Sequence, residues 1–425
     1  MNLYNNPPFS QWPTLLQRPV MNTESLDSII KGVLREVQSN GDKALRAYTE
    51  RFDGVKLEAI EVSEREIARA IASLPEPLKQ AIQTAKKNIE SFHRPQAEAI
   101  QMVETMPGVQ CWRKSVAIEK VGLYIPGGTA PLFSTVLMLA VPAKLAGCQE
   151  IVLCTPPQKD GSVHPAILYT AHLVGVTRIF KVGGAQAIAA LAYGTETIPA
   201  VYKIFGPGNQ YVTAAKQLVS RQGVAIDMPA GPSEVLVCAD ETANPAFVAA
   251  DLLSQAEHGE DSQVVLVAFS EGMAKAVQAE VEKQMQALPR KDIARKALGS
   301  SSAIVVPDRA TAVEIINAYA PEHLILSVKD AEQMGEQVIN AGSVFLGHYT
   351  PESVGDYASG TNHTLPTNGY ARMYSGVSLD SFVKKITFQR LTKEGLQQIG
   401  PAVELMAEAE ELMAHKNAVT VRLKE

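Results

Sequence analysis

The segment Ile151-Val-Leu-Cys-Thr-Pro-Pro157 carries the pattern on which the fold depends. Its apolar run is short and stops at two prolines, and a stretch with helical character, Pro165–Val174, follows it. An apolar run of about four to eight residues without alternation is typical of a strand that is buried on both faces of a sheet. We therefore interpret this segment as the strand of a strand–helix unit.

The same unit recurs along the chain in two series. The strands predicted for the first series are Val116–Tyr124, Ile151–Thr155, Arg178–Val182 and Val201–Phe205. The strands predicted for the second series are Val235–Cys238, Val264–Ala268, Ala303–Val306, Leu324–Val328 and Ser343–Leu346. Regular alternation of strands with helices indicates parallel sheets that are covered by helices. We therefore predict an α/β protein with two doubly wound parallel-sheet domains.

The flanking segments complete the predicted domain organisation. The first residues are rich in proline and predict an N-terminal arm, and an amphipathic helix is predicted over Lys393–His415, followed by Val419-Thr-Val421. The predicted parts are a small arm at 1–22, a main α/β domain made of 23–121 and 234–377, a second α/β domain at 122–233, and a C-terminal helical tail at 378–425.

Composition excludes several classes of partner. The net charge is −6 and there is no run of Lys or Arg, so a nucleic acid or an anionic membrane is not the expected partner. No apolar run approaches the length of a membrane span, and the first twenty residues lack the basic start and apolar core of a signal peptide. The four cysteines form no Cys-x-x-Cys pair, which predicts reduced, mostly buried thiols in a cytoplasmic protein.

A metal site is suggested by the segment Asp251-Leu-Leu-Ser-Gln-Ala-Glu-His-Gly-Glu-Asp261, which we interpret as the end of an amphipathic helix. Gln255 and His258 are three residues apart and project from the same face, so an amide oxygen and an imidazole nitrogen stand side by side. Taken alone, the pair is more typical of an ordinary polar helix end. The metal hypothesis gains from further donors downstream, Asp356, His363 and His415. Asp356 and His363 belong to the Gly-rich segment 350–378, a loop long enough to predict a functional role.

Two other features could carry chemistry. Glu322 and His323 are adjacent and follow Pro321, which predicts either an acid–base pair at one edge of a cleft or a solvated loop entering a strand. Glycine-rich turns around Gly184 and Gly208 sit where strands meet helices, where backbone amides can receive phosphate, although tight turns made for packing are as good an interpretation. Neither turn is a Gly-x-Gly-x-x-Gly fingerprint, and no P-loop is present.

Seven stretches together resemble the histidinol dehydrogenase family over nearly the whole chain. They are Val121-Gly-Leu-Tyr-Ile-Pro-Gly-Gly, Lys203-Ile-Phe-Gly-Pro-Gly-Asn, Asp227-Met-Pro-Ala-Gly-Pro-Ser-Glu-Val-Leu, Asp251-Leu-Leu-Ser-Gln-Ala-Glu-His-Gly, Ala320-Pro-Glu-His-Leu, Gly355-Asp-Tyr-Ala-Ser-Gly-Thr-Asn-His-Thr-Leu-Pro-Thr and Ala414-His-Lys-Asn-Ala-Val. The resemblance implies oxidation of L-histidinol through histidinaldehyde to L-histidine, the end of histidine biosynthesis, with two NAD⁺ reduced in succession. It also implies incomplete Rossmann-like domains, one zinc ion per subunit and a homodimer with shared active sites.

The resemblance also implies roles for individual residues. The zinc ligands would be Gln255, His258, Asp356 and His415. Besides these four, the substrate contacts would be Ser233, His323, His363 and Glu410. NAD⁺ would contact Tyr124, Gln186 and Asn209. His323 would act as the base in both oxidations, and Glu322 would activate the water that adds to the aldehyde.

Three other functions compete with this interpretation. A zinc-dependent hydrolase of a small amino-acid-like substrate would use the same metal, with Glu322 activating water. A thiol-dependent aldehyde oxidation would form a thiohemiacetal on Cys111 or Cys148, although neither cysteine has a neighbour that indicates a lowered pKa. A non-catalytic amino-acid-binding protein would bind histidinol without turnover and would not need the Glu322–His323 pair.

Overall fold

The computed structural model describes residues 1–18, 23–127, 130–229 and 231–425. The end of the predicted arm and Gly128 of the first Gly-rich turn lie outside the described residues. The chain forms two compact units, the first made of residues 1–94 and 118–382 and the second of residues 95–117 and 383–425. Within the described ranges, no helix is both long and apolar enough to cross a membrane.

The strands and helices follow one another as a strand–helix alternation in the first unit. In chain order the strands are β1 (Asn2–Asn5), β2 (Met102–Met106), β3 (Val109–Ala117), β4 (Lys120–Tyr124), β5 (Glu150–Thr155), β6 (Arg178–Lys181), β7 (Lys203–Phe205), β8 (Ala225–Ile226), β9 (Glu234–Ala239), β10 (Gln263–Ala268), β11 (Ser302–Val305), β12 (His323–Ser327), β13 (Ser343–Leu346) and β14 (Val383–Leu391). The helices are α1 (Trp12–Leu15), α2 (Thr23–Phe52), α3 (Glu64–Ser73), α4 (Glu76–His93), α5 (Phe133–Ala146), α6 (Pro165–Val174), α7 (Gly184–Tyr193), α8 (Gln210–Ser220), α9 (Pro245–Ala256), α10 (Glu271–Met285), α11 (Lys291–Gly299), α12 (Arg309–Tyr319), α13 (Ala331–Gly335), α14 (Glu352–Tyr357), α15 (Lys393–Ala409) and α16 (Met413–Leu423).

Two parallel sheets form the core of the first unit. One has the strand order β6-β5-β4-β7-β8 and the other the order β1-β11-β10-β9-β12-β13. Apart from β1, both sheets place the first strand of their series in the middle, with later strands added to one side and then to the other. This reversal creates a switch point between β4 and β7 and another between β9 and β12. The predicted α/β class with two doubly wound parallel sheets is confirmed.

The apolar runs form strands because both faces of each sheet are covered. Every residue of β9 and of β10 is buried. The helices between the strands start and stop where the sequence dictates: α6 begins with Pro165 and ends at Gly175, whose φ of +79° is accessible to glycine at low cost. Local punctuation and burial thus agree, which is why these boundaries could be predicted.

The strand predicted over Val116–Tyr124 is wrong as a single element. The structure divides it into β3, which belongs to the second unit, and β4, which belongs to the first. In the second unit, β3 lies between β14 and β2 in an antiparallel sheet that the sequence did not predict. The apolar residues Val383, Ile386, Phe388 and Leu391 do not keep the period of two that signals a half-buried strand, so β14 escaped the pattern search.

The helix predicted over Lys393–His415 is also wrong as one piece. Helix α15 ends at Ala409, and Glu411 adopts a left-handed conformation with φ of +60° before α16 begins. Residues 419–421, which the sequence placed after the helix, lie inside α16. A break at a non-glycine residue with positive φ has no strong local signal, so the sequence could not place it.

The predicted N-terminal arm is tied down in the first unit. Strand β1 pairs in parallel with β11 at the edge of the six-stranded sheet. The helices that follow pack against helices of the five-stranded sheet: α2 on α7 and α8, α3 on α6, and α4 on α5. The sequence grouped these helices with residues 234–377. The domain boundaries stay a prediction, and the structure adds which sheet these helices cover.

Candidate active site

The end of α9 presents Gln255 and His258 as the spacing predicted. Asn244 caps the helix by accepting a hydrogen bond from the Ala246 backbone N–H at 2.9 Å, and Pro245 occupies the first turn. Gln255 is buried near the end of the helix, and His258 lies just beyond it with an exposed side chain. One donor therefore faces the protein interior and the other faces a cavity wall.

The segment predicted as a long loop contains α14, and this helix supplies two carboxylates. Glu352 and Asp356 are four residues apart and so lie on one face of the helix. Ligand atoms of His258, Glu352 and Asp356 all lie within 4.8 Å of one another. The sequence reasoning included Asp356 among the ligands and missed Glu352. The signal that could have found it was the i, i+4 spacing, which is informative only if the segment is recognised as helical.

Glu322 and His323 stand at the amino end of β12. Both side chains are buried, at 6% and 4% exposure, so the interpretation as a solvated loop is wrong. Glu322 Oε2 lies 3.6 Å from His323 Nδ1, and Asp356 Oδ1 lies 3.3 Å from His323 Nε2. Glu322 also accepts a hydrogen bond from the backbone N–H of Glu234 at 2.9 Å. The imidazole is thus placed between two carboxylates.

The electrostatics of this group are dominated by negative charge. Burial disfavours a charged imidazole, but the carboxylates of Glu352, Glu322 and Asp356 outweigh this effect and raise the pKa of His323 well above its usual range. Burial, together with the neighbouring carboxylates, raises the pKa of Glu352. Burial alone raises the pKa of Asp251, one helical turn before Gln255, to about 7. An excess of buried carboxylate is the environment that a divalent cation would stabilise.

The polar atoms of the cluster fit a bound zinc ion. Asp356 Oδ1 and both ring nitrogens of His323 are buried without a hydrogen-bond partner of good geometry among the described residues. The amide of Gln255 is oriented by its neighbours: its nitrogen donates to Glu352 Oε2 at 3.2 Å, and its oxygen accepts from the Glu234 N–H at 3.0 Å. Imidazole and carboxylate donors without a thiolate match a catalytic rather than a structural zinc site.

A cavity of about 550 Å³ connects this cluster with a turn of the five-stranded sheet. Ser233, His258, Glu322 and His363 line it on one side. His363 is held by two contacts, between its Nε2 and Thr135 Oγ1 at 3.1 Å and between its Nδ1 and the Asp356 carbonyl oxygen at 2.8 Å. Burial lowers the pKa of His363, which favours a neutral ring.

The opposite wall of the cavity is the turn Gly206-Pro-Gly-Asn209 after β7. Gly206 has φ of +128°, and a Cβ there would lie 2.1 Å from the carbonyl oxygen of Tyr124, so this position requires glycine. Asn209 caps α8 by accepting from the backbone N–H groups of Tyr211 and Val212 at 3.1 Å each. The turn leaves the N-terminus of α8 next to the cavity, at the switch point where open α/β sheets bind ligands.

The other two predicted cofactor residues lie at the same carboxyl edge of the sheet, but neither lines the cavity. Tyr124 ends β4 and is buried, and its hydroxyl accepts a hydrogen bond from the Gly184 N–H at 3.1 Å. Gln186 lies in the first turn of α7 and is buried. Their contact with NAD⁺ stays a prediction.

Glu410 and His415 are placed apart from the other predicted site residues, because they belong to the second unit. Glu410 follows α15 and His415 lies in α16, and both side chains are exposed. Of the four predicted zinc ligands, the first unit thus brings together His258 and Asp356 and places Gln255 beside them through Glu352. The role of His415 stays a prediction.

A buried ion pair holds the turn at Gly206 from both sides. Lys216 and Asp227, at 4% and 1% side-chain exposure, pair with each other. Lys216 Nζ donates to the Gly206 carbonyl at 2.9 Å, and Asp227 Oδ2 accepts from the Gly206 N–H at 2.8 Å. The pair therefore fixes both hydrogen-bonding groups of the residue at which the turn begins.

Replacing Lys216 by Met is expected to lower the free energy of unfolding by about 3–5 kcal/mol, because it leaves a buried carboxylate without its partner. The measurement is urea denaturation followed by circular dichroism. Lys296→Met is the control, since Lys296 and Glu260 are 62% and 59% exposed, and a loss below about 1 kcal/mol is expected there. Equal losses in the two variants would contradict the role of the buried pair.

Comparison with known proteins agrees with these features. The family model of histidinol dehydrogenase matches residues 16–423. Histidinol dehydrogenase from Bacteroides fragilis is 63% identical over 425 residues, which cover 100% of this chain and 99% of the relative. The chloroplastic histidinol dehydrogenase of Arabidopsis thaliana is 55% identical, with 98% of this chain and 90% of the relative covered. The crystal structure of histidinol dehydrogenase from Elizabethkingia anophelis superimposes with a TM-score of 0.98 at 59% identity and covers 100% of this chain and 98% of that one. The chain therefore belongs to the histidinol dehydrogenase family of oxidoreductases.

Proposed function

We propose that the chain oxidises L-histidinol through histidinaldehyde to L-histidine, with two NAD⁺ reduced in succession and one zinc ion bound per subunit. The observation that carries the proposal is the cavity between the Gly206–Asn209 turn and the cluster around His323. Family membership supports the substrate, and the turn at the N-terminus of a helix supports a phosphate-bearing cofactor. The cytoplasmic location predicted from the sequence stays a prediction.

The protein's own groups have distinct roles in this proposal. His323 accepts the hydroxyl proton of histidinol in the first oxidation and a proton of the hydrated aldehyde in the second. Glu322 takes a proton from the water that adds to the aldehyde, and its position 3.6 Å from His323 Nδ1 allows the two groups to act on one carbon. A zinc ion held by Gln255, His258, Asp356 and His415 would orient the amine and imidazole of the substrate and offset the carboxylate charge that raises the pKa of His323.

The substrate and cofactor contacts are proposed on the family motifs and on position in the fold. The substrate contacts are Ser233, Gln255, His258, His323, Asp356, His363, Glu410 and His415. For NAD⁺ the contacts are Tyr124, Gln186 and Asn209. Location at one cavity supports Ser233, His258 and His363, and location at the carboxyl edge of one sheet supports the three cofactor residues.

The proposal includes a homodimer in which the second unit of one subunit completes the site of the other. Exposed apolar side chains of the second unit support an interface, among them Leu405 at 69%, Met406 at 65% and Val103 at 55% exposure. Because Glu410 and His415 are exposed and belong to that unit, they are available to a partner subunit.

A spectrophotometric assay tests the proposal. The purified chain is incubated with L-histidinol and NAD⁺, and absorbance at the NADH band is followed before chelation, after chelation and after zinc is restored. We expect two NADH per histidinol, loss of activity on chelation and recovery with zinc. A hydrolase or a non-catalytic binding protein would give no NADH, and one NADH per histidinol would contradict the four-electron reaction.

Glu322→Gln separates the two oxidations. The variant is expected to slow histidinal oxidation by roughly a hundredfold or more, because general-base activation of water contributes about that much. Histidinol oxidation should fall far less, while His323→Asn should slow both. The two half-reactions are measured separately with histidinol and with histidinal as the starting substrate, and equal damage to both by Glu322→Gln would refute the assignment.

Cys148→Ser tests the thiol mechanism. The four thiols are free, and Cys148 is buried near the Phe382 carbonyl oxygen. Burial raises the pKa of Cys148 to about 11, which opposes formation of a nucleophilic thiolate. Cys148→Ser and Cys111→Ser are therefore expected to keep most of the histidinal oxidation, measured as above. Selective loss of that step in a folded variant would restore the thiol mechanism.

A further inference from the structure

Arg18 of the N-terminal segment makes a dense set of contacts behind the cavity. Its Nη2 donates to Glu234 Oε1 at 2.9 Å and to the Tyr319 carbonyl oxygen at 2.8 Å, and its Nε pairs with the other carboxylate oxygen of Glu234. The guanidinium carbon lies 4.0 Å from the centre of the Tyr319 ring. A bidentate, stacked arginine of this kind is held in one orientation.

These contacts hold the turn that carries Glu322. Helix α12 ends at Tyr319, and the last carbonyl groups of a helix lack partners within the helix. Arg18 donates to the carbonyl of Tyr319 and, at 3.3 Å, to that of Ala320. Ala320 adopts a left-handed conformation with φ of +53°, which costs free energy for a residue with a Cβ and persists only where its surroundings impose it. Arg18 is one of the groups that impose it.

A second connection runs from Arg18 through Glu234. The Glu234 carboxylate is nearly fully buried, and Tyr319 Oη also donates to it at 3.3 Å. The backbone N–H of Glu234 donates in turn to Glu322 Oε2 at 2.9 Å. Arg18 thus reaches Glu322 by two paths, through the turn that precedes it and through the residue that binds its carboxylate.

We propose that Arg18 is a positioning residue for Glu322, and that its contribution falls on the oxidation of the aldehyde more than on that of the alcohol. This inference rests on the proposed function, in which Glu322 activates water only in the second oxidation. It also gives the N-terminal segment a role in the reaction, although Arg18 lies 304 positions before Glu322 in the chain.

The test compares Arg18→Ala and Arg18→Lys with a matched control. Arg178 makes the same kind of fork to Glu61, with two contacts of 2.8 Å, donates to the Thr197 carbonyl at 2.9 Å and lies 4.9 Å from the Phe180 ring. This second fork is part of no proposed site. Arg178→Ala therefore removes a similar set of contacts away from Glu322.

For Arg18→Ala we expect histidinal oxidation to slow by roughly tenfold to a hundredfold, the range that follows from a displaced catalytic group. Histidinol oxidation should change by less than about threefold, with the KM for NAD⁺ unchanged, because chemistry rather than binding is affected. Arg18→Lys should recover part of the loss, and Arg178→Ala should retain both activities. If Arg18→Ala does not fold by circular dichroism, the ratio of the two rates is taken from Arg18→Lys.

A double-mutant cycle decides whether Arg18 acts through Glu322. If it does, Arg18→Ala combined with Glu322→Gln should oxidise histidinal no more slowly than Glu322→Gln alone. Multiplying losses, equal damage to both half-reactions, or a raised KM for NAD⁺ as the main effect would each overturn the inference. Failure of the proposed function is distinguishable, because the wild-type chain would then produce no NADH from histidinol.

Discussion

His258→Asn is expected to abolish zinc binding and to reduce turnover of histidinol by at least about a hundredfold, since even groups behind the metal ligands contribute 10- to 100-fold. His258 supplies the only imidazole in the cluster with Glu352 and Asp356. Its loss leaves carboxylates and an amide, donors that hold zinc less well than an imidazole does. Zinc content is measured by elemental analysis after gel filtration, alongside the rate of NADH formation.

His348→Asn is the matched control for this experiment. The His348 ring contacts Ser327 Oγ at 2.9 Å and Thr242 Oγ1 at 3.1 Å, at the carboxyl end of β12 and away from the cluster. This variant should retain its zinc and its activity. Full zinc occupancy in His258→Asn would show that the ion binds elsewhere or without this residue.

Mixing two inactive variants, His258→Ala and His415→Ala, is expected to restore up to half of the wild-type activity per dimer. If the second unit completes the partner's site, each mixed dimer contains one site with both histidines and one that lacks both. The subunits are exchanged by mild denaturation and refolding, mixed dimers are confirmed by mass, and NADH formation is measured.

The control for the exchange is a mixture of His258→Ala with Asp356→Ala. Both changes lie in the first unit, so every site of the mixed dimer lacks one ligand whichever subunit supplies the tail, and no activity should return. Absence of recovery with His415→Ala as well, despite confirmed mixed dimers, would establish that the tail acts within its own subunit. Recovery in the control would point to recombination or to refolded wild type.

The core of the fold could be predicted because its signals are local. Strands such as β10 are uninterrupted apolar runs, and helices such as α6 start at a proline and end at a glycine, so a short window contains the information. The antiparallel sheet of the second unit has no such window. Its strand β14 gains its partner from β3, more than 250 residues away in the chain, and no pattern in β14 itself announces that pairing.

The site could be predicted in part for a similar reason. Gln255 and His258 share a helix face, and Glu322 and His323 are neighbours, so spacing and residue type were enough to single them out. Burial of Glu322, the approach of Asp356 to His323, and the participation of Glu352 and Arg18 depend on how distant segments meet. Sequence spacing does not encode that meeting, and for Glu352 the additional obstacle was a six-residue helix interpreted as loop.

The pairing of β1 with β11 has a consequence for synthesis of the chain. Asn2 is made at the start of translation, but its partner in the sheet, Ser302, is made about 300 residues later. At roughly 5–20 residues per second, the first strand waits on the order of 15–60 s on the ribosome before it can pair. The five-stranded sheet, completed by Ile226, can close during that interval. The contact of Arg18 with Glu234 and Tyr319 also forms late, so the catalytic turn is expected to be among the last parts of the nascent protein to become ordered.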